Sequence, residues 1–380
     1  MNIPYGKQLV TEEDLACTRE VLTSEFLTQG PEVPAFENAF SSYVGCEFSV
    51  AVSNGTAALH LAVLAVGIKP EDRVICTPIT FVASTNCVRY AGGEVVFCDI
   101  DPETYLMDLD KLEAMLSEKP KGYYKGIIPV DFAGLMVDLE KVRAIADVYD
   151  CWIVEDSCHA PGAHFIDSKG RKIRAGSGVY SDASIFSFHP VKHITCGEGG
   201  MVTTNREDVA KSLQLLRTHG ITKDPDLLKA NDGPWYYEMV ELGFNYRLTD
   251  LQAALGQSQL SRLDWSLEER NKIAKKYDQY FDAKDWKHQV LPENYFNAHH
   301  LYVIQHPDRK ALFQHLKAHS IHPQIHYIPV NSMPYYRRLG WKPEDLPLAM
   351  QYYSQCISLP MYPSLKEEEF NYVLEIINTF

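Results

Sequence analysis

Between about residues 45 and 220 the chain alternates short apolar runs with amphipathic segments. Phe48–Ser53 reads as a strand that runs into a helix beginning at Gly55, with Thr-Ala-Ala-Leu-His-Leu-Ala-Val-Leu behind it. Arg73–Thr77 reads as a strand ended by Pro78, and Phe81–Tyr90 as the next helix. Further strands are predicted at Val95–Cys98, Gly126–Phe132, Trp152–Asp156, Ala183–Phe188 and Met201–Thr204. Strands alternating with helices predict an α/β fold whose mostly parallel sheet is covered on both faces. In such sheets ligands collect where strands end and helices begin.

A helical, charge-rich stretch follows from Asp250 to Asp282. Beyond it the pattern changes: strands are predicted at His300–Gln305 and Gln324–Tyr327, and helices at Arg309–His319 and Lys366–Asn378. This predicts a large domain over residues 1–250 with an N-terminal arm, then a helical connection and a small α+β domain over 251–380. Lys223–Tyr237, with Asp-Gly-Pro-Trp-Tyr-Tyr, reads as a loop or lid.

Composition narrows the class. With 380 residues, 46% hydrophobic and 23% charged, the chain can bury a sizeable core and reads as a soluble globular protein. A formal charge of −14 argues against nucleic acid or an anionic membrane as the main partner. The N-terminus, Met-Asn-Ile-Pro-Tyr-Gly-Lys-Gln, lacks the apolar core of a signal peptide, and no apolar run is long enough to span a bilayer. The nine cysteines show no Cys-x-x-Cys pairing, so a cytoplasmic setting with reduced thiols is expected, and no metal is implied.

Four segments carry candidate chemistry. In Ser187-Phe-His-Pro-Val-Lys192, a lysine lies just past a strand and before a Gly-rich bend. A lysine close to an apolar core loses its proton more readily and becomes a nucleophile suited to Schiff-base chemistry. Asp156 ends a hydrophobic strand, where its carboxylate could hold a pyridinium nitrogen. Ser53-Asn-Gly55-Thr56 opens a helix whose N–H groups and dipole suit a phosphate, and Ser187 could add a hydroxyl. Phe81 could stack on a flat ring. Taken singly, each also reads as ordinary structure: a solvated lysine, a capping carboxylate, a plain helix start, a core phenylalanine. Their joint order on a parallel-sheet pattern is what favours a pyridoxal-5′-phosphate (PLP) site.

The same segments resemble the DegT/StrS family of sugar aminotransferases, which are fold-type I PLP enzymes. The likeness extends over Leu27–Pro31, Ser53–Leu59, Glu155–Ala160, Ser187–Gly200, Leu216–Gly220 and Gly243–Gly256. It implies that Lys192 holds the cofactor and acts as catalytic base, and that Asp156 binds the ring nitrogen. It also implies that His159 lies near the ring, that Gly55, Thr56 and Ser187 hold the phosphate, and that Asn245 reaches the phosphate of a partner subunit in a homodimer. Tyr5, Thr28 and His326 are implied near the sugar.

The branch of the family serving pseudaminic acid biosynthesis is the most similar, through Thr77–Ala83, Pro129–Gly134, Gly233–Tyr237 and Gln324–Val330, with Asp131 where many relatives carry His. L-glutamate and a UDP-linked 4-keto sugar are then the implied substrates. Two positions depart from that branch: Ser53-Asn-Gly-Thr56 and Asn331. A PLP-dependent sugar dehydratase would carry His at the lysine position. A nicotinamide enzyme would need Gly-x-Gly-x-x-Gly after its first strand, which Ser53-Asn-Gly-Thr-Ala-Ala is not. A non-catalytic sugar-nucleotide regulator would keep the pocket without needing the lysine.

Overall fold

The computed structural model describes residues 1–284 and 286–380. Its centre is a seven-stranded sheet in the order Phe48–Val52, Gly200–Thr204, Ala183–Ser187, Trp152–Asp156, Tyr124–Ile128, Arg73–Cys76, Glu94–Phe97. Gly200–Thr204 runs antiparallel to both of its neighbours, and the other paired strands are parallel. These strands are almost wholly buried, as expected of apolar runs covered on both faces. The fold is therefore α/β with a mostly parallel sheet.

The helix Gly55–Ala65 forms because Asn54 caps it: the Asn54 side chain accepts from the Ala57 N–H at 2.8 Å. The helix is buried along most of its length and packs against Ala183–Ser187 and Gly200–Thr204. Phe81 does not begin a helix. That helix starts at Ala83, and Phe81 stands ahead of it with 59% of its surface exposed.

The stretch 250–282 is two helices, Asp250–Leu260 and Leu263–Asp282, parted at Ser261 and Arg262. The break lets Arg262 turn back onto the buried carboxylate of Asp14, which Ser258 and Gln259 also reach.

The C-terminal part adds the strands Tyr302–Gln305 and Cys356–Leu359 and the helices Arg309–Ala318 and Glu367–Asn378. Gln324–Tyr327 is not a strand. Only Gln324 makes a bridge, to Ser358, and the short strand lies earlier, at Ile321–His322, paired with Ile3–Pro4. Past Gln324 the backbone pairs with side chains instead of a ladder: Ile325 N–H donates to Gln324 Oε1 and the His326 carbonyl accepts from the Tyr352 hydroxyl. A separate core gathers Ile3, Tyr277, Phe281, Leu312, Ile357 and Phe370. Lys223–Tyr237 holds no helix or strand, and a two-residue hairpin, Ile221–Thr222 with Glu238–Met239, closes its base. No helix among the described residues is long and apolar enough to cross a membrane, and none of the nine cysteines is paired.

Candidate active site

The strand ends converge on a cavity of about 740 Å³. Tyr5, Gly55, Thr56, Phe81, Asp156, His159, Ser187, Lys192 and His326 all line it. Thr28 and Asn245 do not. Thr28 is exposed and bridges Thr249, while Asn245 is exposed and bridges Thr218. The parallel strands deliver their C-terminal residues to one edge, and the antiparallel strand begins at that edge with Gly200.

At one end of the cavity, Gly55 lies against Ser187. A Cβ on residue 55 would come within 2.8 Å of the Ser187 Cβ, so only glycine lets the helix start reach the strand end. The result is a cradle of helix N–H groups with the Thr56 and Ser187 hydroxyls beside it, the donor set a phosphate needs. Gly55→Ala is expected to weaken PLP affinity about 10-fold, the scale of one lost good contact of roughly 1.4 kcal/mol. Titration of the cofactor-free protein by absorbance measures it.

Asp156 is buried and held from two sides. Ser84 donates its hydroxyl to Oδ2 at 2.6 Å, and the Cys158 N–H donates to Oδ1 at 3.2 Å. Both bonds favour an oriented carboxylate. Ser84 has no counterpart among the expected residues. It lies in the first turn of a helix and holds Asp156 from there, so no motif marks it. Ser84→Ala is expected to cost about 1.5–3 kcal/mol of the interaction that Asp156 provides, the range for a hydrogen bond to a charged group. A lowered kcat with unchanged folding, by circular dichroism, is the check.

Lys192 keeps part of its surface open to the cavity. Burial lowers its pKa below the usual lysine value, offset in part by attraction to Asp156. An amine that sheds its proton more readily is suited both to attack a carbonyl carbon and to accept a proton.

His159 is buried, and burial pushes its pKa far down, with the nearby Lys192 charge adding to the effect. The Ala133 N–H donates to Nδ1 at 3.3 Å, so the ring proton of the neutral imidazole sits on Nε2. Nε2–H then donates to the Tyr327 hydroxyl at 3.1 Å, which leaves the Tyr327 proton free to meet a partner in the cavity. Tyr327 was hidden in Gln324–Tyr327, where alternation mimics a strand. His326 beside it is fixed by Ser358 at 2.9 Å through Nδ1 and packs on Tyr5 at 5.2 Å. Burial pushes the carboxyls of Asp131 and Glu155 upward; Ser157 donates to Asp131 at 2.9 Å.

Four buried histidines and the half-buried His299 give the fold a pH signature. His159, His193, His299, His300 and His326 all have pKa values lowered by burial, His299 and His326 to about 3. In the unfolded chain each takes up a proton near pH 6.5, while the folded protein resists it. Their stabilising share is therefore complete above about pH 6.5 and is lost as the pH falls below it, by up to about 1.4 kcal/mol per pH unit for each ring. The raised carboxyls of Asp131 and Glu155 act in the opposite sense from about pH 4 upward, with fewer protons. Melting temperature is expected to fall between about pH 7 and pH 5, and a flat calorimetric profile would refute this.

A neutralisable lysine, a fixed strand-end carboxylate and a phosphate cradle in one cavity define the PLP-dependent class of enzyme, and the residues fit that cofactor. The comparisons with known proteins agree. The chain belongs to the DegT/DnrJ/EryC1/StrS aminotransferase family, which it matches over residues 8–378. It is 34% identical to the UDP-4-amino-4,6-dideoxy-N-acetyl-beta-L-altrosamine transaminase of Campylobacter jejuni, covering 99% of this chain and 96% of that protein. Among solved structures, the PLP form of the putative sugar aminotransferase Spr1654 from Streptococcus pneumoniae superimposes with a TM-score of 0.89 at 29% identity, covering 100% of this chain and 98% of that one. Helicobacter pylori PseC, an aminotransferase involved in the biosynthesis of pseudaminic acid, gives a TM-score of 0.88 at 29% identity over 100% of both chains. The protein is a PLP-dependent sugar aminotransferase.

Proposed function

We propose that this enzyme moves an amino group from L-glutamate to C4 of a UDP-linked 4-keto-6-deoxy-N-acetyl-hexosamine, a step of pseudaminic acid biosynthesis in the cytoplasm. One observation carries the reading: the Lys192 amine and the Asp156 carboxylate face the same cavity, whose other wall is the His326–Tyr327 pair. The likeness to the Campylobacter transaminase and to PseC supports the choice of sugar.

Gly55, Thr56 and Ser187 would hold the cofactor phosphate, Asp156 its ring nitrogen, and Phe81 and His159 the faces or edge of its ring. Bound there, PLP supplies an electron sink for the charge left on carbon when a proton departs. Lys192 Nζ, its pKa lowered by burial, takes the proton from the α-carbon of the amino donor and later returns one to C4 of the sugar. Tyr5, Tyr327 and His326 orient the sugar, with the free Tyr327 hydroxyl proton as a donor to its oxygen atoms. Residues 1–250 would carry the cofactor and residues 251–380 would cover it.

A second copy of the chain completes the site in this reading. Asn245 is exposed in its own chain, alongside the exposed apolar side chains of Trp235, Tyr237, Met239 and Leu242. Across a homodimer interface Asn245 would donate to the partner's cofactor phosphate, and Thr28 would approach the sugar. Asn245→Ala is expected to weaken PLP binding by about 10-fold or more, as for a lost hydrogen bond to a charged group. The test of the whole proposal is to supply L-glutamate with UDP-linked 4-keto and 3-keto sugars and follow 2-oxoglutarate. Transfer to a 3-keto sugar alone would overturn the C4 assignment.

A further inference from the structure

Lys192 also borders a second, far smaller cavity of about 20 Å³. A single water needs on the order of 10–15 Å³ of this kind of space, so one small molecule fits and a carboxylate or phosphate does not. Lys7, Gln8 and Trp265 form its exposed rim. Deeper lie Ser266 and Arg270, one turn apart on a single face of the helix Leu263–Asp282, and His193, which follows Lys192 in the chain.

These three side chains are only 5%, 2% and 6% exposed, respectively. Each has a polar atom with no hydrogen-bond partner among the described residues: Ser266 Oγ, Arg270 Nε and His193 Nδ1. Buried polar atoms left so are rare, and three on one cavity point to a missing common partner.

The chemistry of the three atoms selects that partner. Arg270 Nε–H can only donate. His193 Nε2 lies 2.8 Å from the Ala298 carbonyl oxygen, which can only accept, so the ring proton is on Nε2 and Nδ1 is an acceptor. Ser266 can serve either way. The occupant must accept from Arg270 and donate to His193 at once. A halide accepts but cannot donate, and a metal cation would face the guanidinium. A water molecule does both.

We propose that this cavity is a binding site for one ordered water, which ties the loop carrying Lys192 to the helix Leu263–Asp282 and so positions the lysine from behind. Arg270 is well placed to anchor it, since its Nη1 is already fixed by the carbonyls of His299 at 3.1 Å and Met361 at 3.0 Å. The positioning role rests on Lys192 being the lysine that holds the cofactor; the water assignment does not.

The experiment uses cofactor-free protein crystallised with sodium bromide, as wild type and as Ser266→Val, whose added methyl groups fill the space. In the wild type, an ordered water within hydrogen-bonding distance of all three atoms is expected, without an anomalous bromide signal there. A bromide peak, or no density, overturns the assignment. Ser266→Val is expected to expel the water and to slow covalent capture of added PLP, read from the visible absorbance band, by about 10-fold, the scale of a modest misplacement of a reacting group. Ser266→Ala, which leaves room for the water but takes away one of its three partners, is expected to capture PLP faster than Ser266→Val. Equal rates in the wild type and Ser266→Val overturn the positioning role. A wild type that binds the water but never captures PLP would leave the water site standing and remove the proposed function instead.

Discussion

Lys192→Ala is expected to abolish turnover, with kcat falling by at least about 10⁴-fold, because one substitution removes both the nucleophile and the general base. The side chain emerges where the strand Ala183–Ser187 has ended and the Gly-rich bend begins, and no other lysine lines the cavity. Folding is expected to survive, since the fold gains nothing from keeping an amine out of full solvent. Burial of Lys192, which lowers its pKa, works against the charged state. The variant would therefore melt at or slightly above the wild-type temperature while losing the visible band of the PLP-loaded enzyme. A variant that retains turnover above background would remove Lys192 from its role.

Asp156→Asn is the second large effect. The carboxylate is held by Ser84 and by the Cys158 N–H, and the amide would keep the shape without the charge. Losing one pre-organised electrostatic partner of the developing charge typically costs on the order of 10²–10³-fold, roughly 3–4 kcal/mol. The loss should fall on kcat more than on KM, since the charge matters most when the proton leaves carbon. Steady-state kinetics with L-glutamate separates the two. A purely raised KM would mean that Asp156 serves ground-state binding instead.

Much of this site is legible in the letters because parallel strands buried on both faces leave continuous apolar runs. The strands around Trp152–Asp156 and Ala183–Ser187 are where those runs place them, and their last residues necessarily meet at one edge. What escapes is chemistry carried by support. Ser84 acts through Asp156, and Tyr327 is oriented by His159 from 168 positions away. The first N-terminal helix escapes for a different reason. Glu12–Leu22 buries only Asp14 and Val21, so its inward face is marked by a carboxylate and not by an apolar stripe. Phe81 shows the limit of reading a helix start from hydrophobicity: the residue sits before the first turn and stays exposed.

The pairing of Ile3–Pro4 with Ile321–His322 has a consequence for how the chain is made. At roughly 5–20 residues per second, about 16–60 s separate the emergence of these two partners from the ribosome. Through that interval Ile3, fully buried in the finished protein, has no strand to join, and the wall of the cavity built by Tyr5 and His326 does not exist. Residues 321 and 322 must therefore have left the ribosome before the enzyme can close its pocket.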